Sequence, residues 1–130
     1  MFRLSALFGR SREVRRLNDA LRSAGLDPGL VPDAVKIAAL NLLKEAGPGG
    51  SPAPAAFGVV TELLAYCILG EQGFQDANGS GSTRKLERRM QAALVAGDSL
   101  DARLVLLTIH AGVIELALIT RYDLHAGDTP

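Results

Sequence analysis

Between Leu100 and Tyr122 the chain is apolar almost all the way round a helical wheel. Arg103, His110 and Arg121 fall on one line at helical spacing. Asp101, Thr108 and Glu115 fall on a second, each seven residues after the last. Two apolar arcs separate these lines: Leu100, Leu104, Leu107 and Leu118 lie on one side, Val105, Ile109, Val113 and Leu116 on the other. A helix with one apolar stripe lies on a surface, whereas a helix with two is covered on both sides. The pattern predicts one helix over about 99–122, central to an all-α bundle or placed at a subunit interface.

Four more helices are predicted upstream. Ser11 caps the first, which runs to about Ala24 with Val14, Leu17 and Leu21 on one stripe. Leu4, Leu7 and Phe8 make a second stripe out of line with it, so a break is expected near Gly9 and residues 1–10 read as an arm. The second helix, about Pro32 to Ala46, turns Val35, Ala39, Leu42 and Leu43 inward and Ile37 and Leu40 outward, among Lys36, Asn41 and Lys44. Residues 46–54 are too rich in glycine and proline for regular structure. A third helix spans about Ala55 to Gln72, a glycine-rich loop covers Gly73 to Ser82, and a fourth helix covers about Thr83 to Ala96. The tail from 123 to 130 reads as frayed. No segment sustains a two-residue alternation. The fold expected is a single all-α domain over 1–130, a compact bundle of about five helices.

Composition narrows the classes. The net charge is zero, although residues 1–22 carry six arginines against Glu13 and Asp19. No global field favours nucleic acid. The basic face of the fourth helix, Arg84, Lys85, Arg88 and Arg89, is interrupted by Glu87 and has no aromatic neighbour, so it reads as solvated. The single cysteine, Cys67, sits in an apolar helical run, in keeping with a reducing, cytoplasmic setting. Arginine outnumbers lysine, as in proteins of GC-rich bacterial genomes. Leu104–Thr120, bracketed by arginines, spans only 17 residues and contains His110 and Glu115, so no membrane span is expected. The N-terminal arm, with Phe2, Leu4, Leu7 and Phe8 among arginines, has the composition for peripheral contact with an anionic membrane surface.

One stretch matches a motif with a mechanism. Asp76, Asn78, Ser80, Gly81 and Glu87 stand at positions one, three, five, six and twelve of a twelve-residue stretch between two predicted helices. This resembles the calcium loop of EF-hand proteins. The resemblance implies ligation of calcium by Asp76, Asn78 and Ser80, by the Ser82 carbonyl and by both oxygens of Glu87. Only two carboxylates contribute, and Arg84 holds the ninth position, so the implied affinity is on the order of 10⁻⁴ to 10⁻³ M. The simpler reading is a polar turn with Ser82 capping the next helix.

Other chemistry is sparse. His110 and Glu115 are five residues apart and point to different sides of a helix, so they form no ligand pair. No serine or cysteine has the setting of a nucleophile. The features favour a non-enzymatic helical protein that acts by association as a homo-oligomer and needs no cofactor. Its interface residues would come from Ile37, Leu40, Leu104, Val105, Ile109, Val113 and Leu116. The alternatives are a weak calcium-binding module through residues 76–87, and a small enzyme with a site between helices three and five using Glu62, Tyr66, His110 or Glu115.

Overall fold

The computed structural model describes residues 3–47 and 52–124, the first helix by its backbone alone as far as Ser11. Among these residues the fold is all-helical: α1 Arg3–Ser23, α2 Asp33–Ala46, α3 Pro54–Asn78, α4 Ser80–Val95, α5 Leu100–His110 and α6 Leu116–Tyr122, with a 3₁₀ turn at Pro28–Leu30. No strand occurs among them. The apolar side chains form one core, with Leu17 and Leu21 from α1, Leu63 and Leu64 from α3, Leu86 and Met90 from α4, and Leu104 from α5 fully enclosed.

The expected break near Gly9 is absent, and α1 runs from Arg3 as one helix. The side chains of Leu4, Leu7 and Phe8, the loop residues 48–51 and the tail 125–130 lie outside the described residues. The α1 helix ends where the sequence places its stop. The Leu26 N–H reaches the Leu21 carbonyl (3.0 Å) and the Leu26 side chain enters the core.

The expected helix over 99–122 is two helices. Gly112, at φ +72°, takes the left-handed conformation that ends α5. The Val113 N–H then bonds the Thr108 carbonyl (3.1 Å) and the Gly112 N–H bonds the Ile109 carbonyl (3.0 Å). This pair of bonds satisfies carbonyls that a helix end leaves open, and glycine enters the conformation at little steric cost. At the other end Ser99 accepts from the Ala102 N–H (3.1 Å) and caps α5. The helix that packs against every other one is α3, while α5 packs against α2, α3 and α4.

The expected loop from Gly73 to Ser82 is helical except at Gly79. Tertiary contacts override the glycine-rich composition. The Phe74 side chain is completely enclosed and meets the Tyr66 ring edge-on, with centroids 5.7 Å apart. Asn78 donates its amide to the Ala24 carbonyl (2.7 Å) and to the Phe74 carbonyl (3.2 Å), fastening the end of α3 to the end of α1.

The α3 helix is the one described helix long and apolar enough to cross a membrane, with half of its most apolar window covered by the fold. It is also interrupted. Gly70 has φ +80° and ψ 175°, which breaks the helix within its length. A side chain at Gly70 would meet both that backbone conformation and the Glu115 side chain, whose Cγ lies 2.6 Å from the position of a Cβ. The Glu115 N–H donates to the Cys67 carbonyl (2.8 Å), one turn before the break. The strand of chain leaving α5 therefore supplies a donor where α3 is interrupted.

Candidate functional site

The residues of the calcium-loop resemblance are not gathered around a common point. Asp76 and Asn78 lie in the last turn of α3, Ser80 and Ser82 in the first turn of α4, and Glu87 farther along α4. A single residue, Gly79, separates the two helices, so there is no loop to wrap a cation. Asp76, Asn78 and Glu87 each have another partner. Asp76 accepts from the Gln72 amide (2.8 Å), Asn78 is committed to backbone carbonyls, and Glu87 receives Arg121 (2.9 Å). The expected cap by Ser82 is absent: α4 starts after Gly79 with no side-chain cap bond, and the buried Thr83 hydroxyl donates back to the Gly79 carbonyl (2.8 Å). No group of three His, Cys, Asp or Glu side chains among the described residues has the arrangement to hold a metal ion.

The residues weighed as a small enzyme site are also separated. Glu62 accepts from Lys85 (3.1 Å) and lies 3.9 Å from Arg89. Tyr66 is buried against Tyr122, with hydroxyls 3.0 Å apart. Burial, reinforced by that hydrogen bond, pushes its phenol well above the ordinary range. His110 is exposed at the end of α5, and Glu115 covers Gly70. No hydrogen bond or ion pair joins any two of these four among the described residues. Cys67 is enclosed, and burial pushes its thiol up to about 12, only partly offset by the Thr108 hydroxyl and Arg89. A protonated, inaccessible thiol is not a nucleophile.

The charged groups instead tie helices together. Arg89 grips Asp101 with two hydrogen bonds, Nε to Oδ2 (3.0 Å) and Nη2 to Oδ1 (2.9 Å), so α4 is held to α5. With Glu62 and Lys85 the network extends to α3. Arg121 of α6 pairs with both Glu71 of α3 and Glu87 of α4 and packs over the Tyr122 ring, 5.0 Å from its centre. The bidentate geometry at Arg89 and the two acids around Arg121 fix orientation as well as charge.

The interface candidates divide by burial. Leu40, Leu104 and Val105 are buried in the chain's own core. Leu40 was expected on the outer side of α2, but that helix is packed by α1, α3 and α5, so its covered arc is wide and includes Lys36. The Lys36 stem is carried inside with it, as a long aliphatic stem allows. Ile37, Ile109 and Val113 are half-buried, and Leu116, at 73% exposed, opens α6.

Two apolar openings flank α5, and Leu106, which lies between them, is not among the residues that the sequence pattern points to. Leu106 is 38% exposed. It lines a cavity of about 240 Å³ with Leu94, Val105 and Ile109 on one side. It also lines a groove of about 340 Å³ with Leu42 and Leu107 on the other. Leu94, half exposed in the last turn of α4, extends the patch. The signal was present in the sequence. Leu106 falls three residues after Arg103 and four before His110, so it is an apolar residue on the polar line of that helix. Compared with known protein families, curated proteins and solved structures, the chain matches none.

Proposed function

We propose that this protein is a non-enzymatic helical protein that acts by association, as a homo-oligomer joined through the outer face of α5. The observation that carries this reading is the position of Leu106, exposed between two apolar concavities that it shares. Large apolar side chains on a small domain are commonplace singly, but a connected patch with concave relief marks a surface that gains by being covered. On association, α5 would be covered by its own bundle on one side and by a second copy on the other. That would restore the central place that its two apolar arcs call for. The free, buried thiol of Cys67 suits a reducing compartment such as the cytoplasm.

Light scattering coupled to size-exclusion chromatography tests the reading. The wild-type chain should elute at a multiple of its monomer mass at micromolar concentration. Leu106→Asp should return it to the monomer, because an unpaired carboxylate in a closed interface costs several kcal/mol, about 3–5. Leu116→Asp, on α6 outside this patch, should leave the mass unchanged. A wild-type monomer at every concentration, or equal effects of the two substitutions, would sink the proposal.

A further inference from the structure

The groove between α2 and α5 is built from two matching stripes. The α2 side runs Ala38, Asn41, Leu42, Glu45. The α5 side repeats that spacing from Arg103 through Leu106 and Leu107 to His110. Steps of three, four and seven are those by which a helix offers one seam to another helix. At one end Arg103 reaches Glu45 (3.5 Å). That contact places the last turn of α2 beside the first turn of α5, so the two helices run in opposite directions along the groove.

We infer that the occupant of this groove is a second copy of the same groove, related by a two-fold axis parallel to it. In that arrangement α2 and α5 of both copies complete a four-helix seam, and Arg103 of each copy meets Glu45 of the other. This rests on the self-association reading above and specifies its geometry. A two-fold along the groove keeps every residue at its own height, so each α5 lies beside the α2 of the second copy. All neighbouring helices are then antiparallel and their dipoles opposed. The acid and the base stand at one height on opposite helices, so each finds its complement across the seam. A two-fold perpendicular to the groove would instead set the Arg103 and Glu45 end against the end holding Ala38 and His110, and Arg103 would face no acid of the groove. Leu42, Leu106 and Leu107 supply the apolar middle. Asn41 lies on the side of Leu42 away from the Arg103 and Glu45 end, and its amide offers both a donor and an acceptor for pairing across the seam.

The test uses three full-length proteins: wild type, Glu45→Lys and Arg103→Glu. Both side chains are more than half exposed, at 65% and 52%, so neither change disturbs the core. Each variant alone places like charges opposite one another twice per dimer and should weaken dimerisation by about tenfold or more at low salt. An equimolar mixture should recover the dimer. There the introduced lysine meets the introduced glutamate, and the native Arg103 meets the native Glu45. The pair within each protomer is broken in both variants, so mixing restores contacts between copies and nothing else. Raising the salt should shrink the difference between mixed and unmixed samples. Suppose wild type is dimeric, but the variants dimerise as it does or the mixture fails to recover. The two-fold seam is then overturned while self-association stands. A monomeric wild type overturns both.

Discussion

Two single residues, Cys67 and Tyr66, give the fold a dependence on alkaline pH. Burial raises the Cys67 thiol from 9.0 to about 12, and the Tyr66 phenol shifts the same way. A raised pKa means that the folded state holds its proton where the unfolded chain has lost it. The stabilisation is complete below pH 9 and is lost as pH rises toward 12. Each such group contributes at most about 1.4 kcal/mol per pH unit in that window. Urea midpoints should therefore fall steadily above pH 9, and Cys67→Ala should make the decline shallower. An unchanged slope in that variant would show that the thiol does not carry the effect. At neutral pH a maleimide should label Cys67 only after denaturation, since the group is both protonated and enclosed.

At the scale of elements, the helix ends and breaks are set by glycines and ion pairs more than by apolar periodicity. Gly112→Ala forces a side chain into the left-handed conformation that ends α5 and should cost about 1–3 kcal/mol in chemical denaturation. Gly70→Ala adds a collision with Glu115 to a backbone conformation (φ +80°, ψ 175°) that is all but reserved for glycine, and should cost more. If the two substitutions prove equal, the contact with Glu115 contributes nothing. The short α6 is held by Arg121 between Glu71 and Glu87. Arg121→Met should speed amide hydrogen exchange in α6 while leaving α2 unchanged, since α6 packs on α3 and reaches α4 through Arg121 but does not pack on α2. The inner faces of α1 and α2 were legible in Leu17, Leu21, Val35, Ala39 and Leu43, while Leu40 was not, because neighbours on three sides widen the covered arc of α2. The break inside 99–122 was not, because Gly112 sits in an apolar run whose periodicity continues across it. His110 followed by Gly112 was the available mark of a helix end.

At the scale of the molecule, the all-helical class was legible from leucine and alanine periodicity, whereas the order of packing was not. Apolar arcs say that a helix is covered, not by what. The arcs of 99–122 pointed to a central helix, yet the helix that packs against every other described one is α3. The candidate site was legible to a similar degree. The apolar surplus on α5 could be read, but Val105 and Leu104 turned inward and Leu106 outward, a choice made by α2, α3 and α4 together. Glycine-rich composition likewise suggested a loop over 73–82, because its helical state depends on the enclosure of Phe74 in the core and on the Asn78 bond to the distant Ala24 carbonyl. The interruption of α3 and the end of α5 have a joint consequence for inheritance. Gly70 has no room for a side chain because Glu115 covers it, and the Glu115 amide bonds the carbonyl of Cys67 just before the interruption. Two positions far apart in the chain should therefore drift as one. In descendants of this sequence, a larger residue at 70 should arise only beside a smaller one at 115, and the two changes should be better tolerated together than the first of them alone.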